Sequence, residues 1–332
     1  DTAFYRYARF LPLNEVGGDP GQFGIPPAEF HALQTRRQKT QPESMTGLST
    51  HDTKRGEDVR ARLAVLPEIR EMWASFATEF LRATTVPNRA FSYFLAQTLV
   101  GAGPIERDRM HAYAEKAMRE ASDGTTWTAP DPGFEAAVHE AVDLAYDDPR
   151  LHAAWNQIDG LVTEPGWVNA LGQKLVQLTM PGVPDVYQGT EVWENSLVDP
   201  DNRRPVDFAA LRGVLTAVQQ AQFPIDASGA VKLWVTHRAL VARRDQADLF
   251  TGYTPVEADG PQAQHLVAFD RGGAITLATR LPVGLVRTGG WGSTQLDLPG
   301  RVTDALTGAT YHGRTAVADL FSRYPVALLL PD

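Results

Sequence analysis

Apolar and polar positions change period several times along this chain, and each change marks an element. Residues 1–13 open aromatic-rich, with Ala3-Phe4-Tyr5-Arg6-Tyr7 reading as strand-like material. The Gly, Asp and Pro density of Leu13-Asn14-Glu15-Val16-Gly17-Gly18-Asp19-Pro20-Gly21 then specifies a loop. Residues 28–39 read as a helix with Phe30, Ala32 and Leu33 on its apolar side, and Met45-Thr46-Gly47-Leu48-Ser49-Thr50 as a short buried strand. Strand, loop, helix, strand is a βα succession.

From Glu57 to Pro165 the period becomes helical throughout. Pro67 suits a first helical position, and Ile69, Met72, Trp73, Phe76 and Phe80 recur at helical spacing after it. Asn88 can cap a second helix whose apolar face holds Phe91, Phe94, Leu95 and Leu99. Further helices are expected over residues 106–121, 134–146 and 149–161. Stripes of Phe and Trp at this spacing are core rather than ligand platform. Alternation resumes at Gly166, with a helix over 167–179 stopped by Met180-Pro181-Gly182-Val183-Pro184 and a short strand at Asp185-Val186-Tyr187.

Two more helices are expected near 208–220 and 233–244. Past Ala247 the texture is β: residues 265–270 and 274–279 alternate across Arg271-Gly272-Gly273, a hairpin signal, and 294–298, 302–306 and 326–330 continue as short strands.

Composition narrows the class. With 332 residues, 43% of them hydrophobic, a sizeable core is within reach. A net charge of −9 argues against a nucleic-acid footprint. There is no cysteine, so disulfide and thiolate chemistry are excluded. No apolar run approaches ~20 residues and no signal-peptide pattern is present, so no membrane is indicated and the expected location is cytoplasmic. Nothing calls for a cofactor or a metal.

The candidate chemistry is concentrated in Ser49-Thr50-His51-Asp52-Thr53-Lys54-Arg55-Gly56-Glu57-Asp58, a burst of ionisable groups directly after a strand. In α/β folds chemistry is placed past the C-terminal ends of strands. Glu57 and Asp58 are explained by the first turn of a helix, whose positive end they favour; His51 and Asp52 are not.

This cluster and Pro181-Gly182-Val183-Pro184-Asp185-Val186-Tyr187-Gln188-Gly189-Thr190-Glu191 together resemble the seventh and eighth barrel strands of the α-amylase superfamily. There a His-Asp pair closes the seventh strand and Gly-x-Pro-x-x-Tyr-x-Gly-x-Glu marks the eighth. Asp1-Thr2-Ala3-Phe4-Tyr5-Arg6-Tyr7, Leu13-Asn14-Glu15-Val16-Gly17-Gly18, Thr50-His51-Asp52-Thr53-Lys54-Arg55 and Leu197-Val198-Asp199-Pro200-Asp201-Asn202-Arg203-Arg204-Pro205-Val206-Asp207 narrow the resemblance to the maltooligosyltrehalose synthase family. The resemblance implies an α/β chain: the C-terminal part of a (β/α)8 TIM barrel (residues 1–56 and 166–246), a helical insertion (57–165) and a small antiparallel β domain (247–332). It implies a substrate, a maltooligosaccharide, and a reaction, isomerisation of its reducing-end α-1,4 linkage to an α,α-1,1 linkage.

Retaining glycoside transfer passes through an oxocarbenium-like transition state, and acceptors for the sugar's hydroxyls that strengthen there are differential binding. Asp52 resembles that stabilising carboxylate, and His51 a donor to the same sugar. Lys54 and Arg55 are candidates to hold the leaving sugar by charged donors. Tyr5 and Arg6 are candidates to line the cleft, Tyr5 equally for core. Glu15 reads as turn support and Tyr187 as packing. Asp199, Asp201, Arg203 and Arg204 form either a salt-bridged loop at the barrel mouth or a sugar-binding one.

The family also needs an aspartate nucleophile in a Gly-x-Arg-x-Asp setting and a glutamate acid. No such aspartate motif occurs here. A full barrel takes ~250 residues, so the chain is expected to be the C-terminal part of a longer enzyme. Its expected partner is the N-terminal part carrying nucleophile and acid. The alternatives are an α-glucan hydrolase of the same superfamily and a non-catalytic α-glucan-binding module.

Overall fold

The structure is a computed structural model and describes residues 1–219 and 223–332. The chain forms two compact units, Asp1–Phe23 with His51–Gly166 and Asn195–Arg204, and Gly24–Thr50 with Trp167–Glu194 and Pro205–Asp332.

The first unit is helical. Ile69, Trp73, Phe76 and Phe80 are buried along the helix Arg70–Ala83 and the turn before it, whereas Met72 is 40% exposed. Positions 69, 73, 76 and 80 step by four, three and four and so share one side, and 72 sits about 70° from the middle of it. On Arg89–Ala102, capped by the Asn88 side chain accepting from Phe91 N, the residues Phe91, Phe94, Leu95 and Leu99 are all buried as the spacing predicts. Arg107–Ala121 and Pro132–Asp147 complete the bundle.

Two expectations are corrected in this unit. Residues Thr2–Arg6 are a short helix, not a strand: Tyr5 enters the core, and Arg6 donates to Ala121 O (2.5 Å) and Ser122 O (2.6 Å), carbonyls left over at a helix C-terminus. The break expected at Gly166 does not occur, because Pro149–Thr179 is one helix with Pro165 inside it. Contacts just before the proline hold it: Arg62 donates to Asp159 and, at 3.0 Å, to Thr163 Oγ1. A Cβ on Gly166 would lie 2.9 Å from Arg62 Cγ, so glycine permits that approach.

The second unit carries two β layers. Met45–Thr46 pairs in parallel with Val183–Pro184. The second strand therefore precedes the expected 185–187, although Asp185 N still donates to Thr46 O at 2.7 Å. An antiparallel sheet runs in the order Thr254–Pro255, Leu266–Asp270, Ile275–Thr279, Val326–Pro331, Gln295–Asp304, Thr310–Ala316. The predicted hairpin is present, its turn held by Asp270 Oδ1 accepting from Gly272 N and Gly273 N. The two strands expected at 294–298 and 302–306 are one, with a register shift between Leu298 and Val302 that absorbs Pro299-Gly300.

Both faces of this sheet are covered. Val326, Leu328 and Leu330 join Leu171, Leu175, Leu178, Val231 and Val235 in one core, while Ala327 and Leu329 join Leu277, Leu296 and Val317 in another. Residues two apart on a strand share a face, and that periodicity divides the run between the two cores. The helix Ala230–Asp245 supplies Val231 and Val235. The helix Phe208–Val218 falls where expected, and Gln220 lies outside the described residues. The helix Pro27–Thr40 departs from its expected apolar side: Ala32 and Leu33 are exposed, and His31 Nδ1 instead meets Tyr253 Oη at 2.8 Å.

Candidate active site

The segment after Thr50 turns once and starts the helix Glu57–Leu63 at Gly56, with Glu57 and Asp58 in its first turn. Its anchor is the neighbouring segment 195–204: Arg55 bridges Leu197, Gly56 N donates to Ser196 O at 2.8 Å, and Asn202 Nδ2 donates to His51 O at 2.9 Å. His51 and Asp52 are exposed and every residue from Thr53 to Val59 is buried. The loop thus presents two side chains outward from a fixed base.

Lys54 is that base. It is 1% exposed, and its ammonium donates to Asp52 Oδ1 (2.6 Å) and Asp52 O (2.9 Å) and pairs with Asp1 Oδ1 (3.0 Å). The Phe4 ring lies 5.2 Å below the ammonium. An ammonium has three donors, and these three contacts use them. Asp52 keeps 54% of its side chain exposed. The hydrogen bond and charge of Lys54 hold its carboxyl below the usual carboxylate range, against the smaller opposite push of burial. Asp52 is therefore an ionised acceptor facing solvent.

Arg55 does not face outward. It has no exposed surface, donates to Asn14 O and Phe4 O at 2.9 Å each, and lies over the Phe94 ring at 5.3 Å. The expectation that it grips a leaving sugar is corrected on that ground: its guanidinium knits the base of the loop. Tyr5 is also core, 1% exposed against Phe94, and Arg6 is spent on the helix end at Ala121. Tyr5 is thus packing, whereas Arg6 remains exposed while it caps that helix.

The 195–204 segment is a salt-bridged loop. Asp201, only 14% exposed, receives Arg109 Nε (2.8 Å) and Nη2 (2.9 Å), with Leu197 N at 2.8 Å. Burial pushes its carboxyl up, but the Arg109 and Leu197 hydrogen bonds and the Arg204 charge outweigh it and hold it below the usual range. Arg204 Nη2 donates to Ser196 Oγ at 2.9 Å, and the half-exposed Asp199 and Arg203 pair at 2.9 Å. Sequence reasoning missed Arg109, ninety-two positions from its partner. It also passed over Asp1, whose carboxylate shares Lys54, and a lone terminal aspartate carries no signal of that.

No family model matches the chain. A Mycobacterium tuberculosis (strain CDC 1551 / Oshkosh) protein assigned as a maltooligosyl trehalose synthase is 46% identical, over all of this chain and 43% of its own length. The solved maltooligosyltrehalose synthase of Arthrobacter ramosus is 50% identical with a TM-score of 0.96, over 98% of this chain and 44% of that one. By sequence and by fold, this chain matches the C-terminal portion of maltooligosyltrehalose synthases. A substituted form of the Arthrobacter ramosus synthase gives the same TM-score, 0.96, at 51% identity, again over 98% of this chain and 44% of that one. The chain spans less than half the length of the synthases it matches. Among the described residues no helix is long and apolar enough to cross a membrane.

Proposed function

We propose that this chain is the C-terminal part of a cytoplasmic intramolecular transglycosylase that converts the reducing-end α-1,4 linkage of a maltooligosaccharide into an α,α-1,1 linkage. The match to synthases along the whole chain carries this reading. In it, residues 1–56 and 166–246 belong to a (β/α)8 barrel, 57–165 form a helical insertion and 247–332 a β domain. The parallel pair Met45–Thr46 and Val183–Pro184 supports the barrel. So does the exposure of Met45 (72%) and Val183 (49%), apolar strand residues that further barrel strands would cover.

Asp52 accepts from ring hydroxyls of the sugar in the cleaved position, and those hydrogen bonds tighten as positive charge develops on the ring. His51, exposed beside it, donates to the same sugar. Lys54 holds Asp52 in place by its hydrogen bond and extends its ionised range to lower pH, and Arg55 holds the loop's base. Nucleophile and acid come from the N-terminal part of the enzyme, the partner this reading requires. Asp199 and Arg203, half-exposed on the adjoining segment, are further candidates to meet the sugar in this reading.

The test is product analysis of the chain joined to that N-terminal part, with maltopentaose as substrate. A product lacking a reducing end supports the reading. Glucose and shorter reducing oligosaccharides alone identify a hydrolase, and binding without turnover a glucan-binding module. Asp52→Asn is expected to lower kcat by about a hundredfold or more, the scale of a lost transition-state contact.

A further inference from the structure

Glu15 sits in a stretch whose Gly, Asp and Pro content accounts for a turn and for nothing more. Its surroundings assign it more. The side chain is 5% exposed. Oε1 accepts from Lys54 N (2.8 Å) and Val16 N (2.9 Å), and Oε2 accepts from Arg55 N (2.8 Å). The lock is reciprocal, because the Arg55 guanidinium returns to Asn14 O at 2.9 Å. A carboxylate taking three amide donors out of water is a strong fixed point, since charged acceptors make the shorter and stronger hydrogen bonds.

The fixed point lies on the backbone of Lys54, whose ammonium bonds Asp52 Oδ1 at 2.6 Å. We infer that Glu15 is a positioning residue for the proposed reaction, acting through Lys54 by fixing where its backbone starts. This rests on the reading under Proposed function. Both carboxylate oxygens are used, so glutamine cannot substitute: its amide would set a donor against one of the backbone N–H groups. The Lys54–Arg55 turn must then shift, and the ammonium moves off Asp52 Oδ1 with it.

The experiment uses the complete enzyme with maltopentaose. Glu15→Gln is expected to lower kcat about 10- to 100-fold with KM little changed, the scale for an ångström of misplacement. Combined with Lys54→Ala, it is expected to add no further loss, because both act on Asp52 through one ammonium. Glu15→Asp, which keeps both oxygens one methylene short, is expected to show a smaller fall of the same kind. Multiplying losses in the double variant, an unchanged kcat, or failure of both single variants to fold would each overturn the role. Unsubstituted enzyme making no trehalose-ended product would instead remove the function itself.

Discussion

Lys54 donates to Asp52 across 2.6 Å, yet the two residues share the pair unequally: the lysine is 1% exposed and the aspartate 54%. The lysine is buried beneath the pair, and the aspartate is the member that faces solvent. Lys54→Met should therefore act through Asp52. With the ammonium gone, the Asp52 carboxyl rises toward its ordinary range, because the hydrogen bond and charge of Lys54 are what depress it. A depressed carboxyl stays ionised to lower pH, so the variant should lose activity at a higher pH on the acid side. Both products should fall together, leaving the ratio of released glucose to trehalose-ended product unchanged. A raised ratio would show that Lys54 reaches the released sugar after all.

Asp201 holds the neighbouring segment through Arg109. Asp201→Asn keeps one acceptor oxygen and leaves a largely buried guanidinium short of its partner. The expected cost is about 2–4 kcal/mol in equilibrium unfolding, somewhat below the ~3–5 kcal/mol for a fully buried pair because Arg109 keeps a quarter of its side chain exposed. Amide exchange at Leu197 should accelerate as well, since its N–H donates to Asp201 Oδ2. A change under about 0.5 kcal/mol would mark the pair as solvent-screened.

The helical stripes were legible because core burial and a 3.6 period are one signal: Phe91, Phe94, Leu95 and Leu99 could face only one way. The hairpin at 266–279 was legible through its Asp270-Arg271-Gly272-Gly273 turn, and the candidate loop through its density of charge. Other features depend on contacts far apart in the chain. Thr2–Arg6 is helical because Arg6 meets the end of a helix 115 positions away, and the helix survives Pro165 through contacts to Arg62. Arg55 and Glu15 read as an outward cation and a turn residue, and their exchange of hydrogen bonds across forty positions reverses the first and enlarges the second. A sequence shows that a charge exists, not whether a backbone carbonyl has claimed it.

Glu135 makes a pH-dependent clamp in the helical bundle. Arg119 reaches it with Nε (2.9 Å) and Nη2 (2.8 Å), and Thr125 Oγ1 donates at 2.7 Å. The Arg119 hydrogen bonds, with those of Thr125, lower its carboxyl from 4.5 to about 2. A carboxyl lowered on folding contributes stability that is complete above its unfolded value and is lost as pH falls through its folded value. The contribution should thus fade between pH 4.5 and about 2. Glu135→Gln should cost about 1 kcal/mol at pH 7 and flatten the stability profile in that window. A parallel shift of the whole profile would mean that packing, not charge, is what Glu135 supplies.

Gly182 shows why the Gly-x-Pro motif begins with glycine. Its φ is +133°, and a Cβ there would lie 2.5 Å from Thr46 Cγ2 and 2.7 Å from Ser44 O. Ser44 O is also the acceptor for Val183 N at 3.0 Å, so the clash falls on the bond that opens the parallel pairing of Met45–Thr46 with Val183–Pro184. Gly182→Ala faces an unfavourable backbone conformation and two contacts inside van der Waals range, one of them with backbone that cannot rotate away. We expect a loss above about 2 kcal/mol, the scale of strain at a special backbone position. Exchange should quicken at the amides of Val183 and Asp185, which bond Ser44 O and Thr46 O. Unchanged protection at both amides with full stability would mean the strands can separate by the needed half-ångström without losing register, and the glycine would then owe its place to something other than this approach.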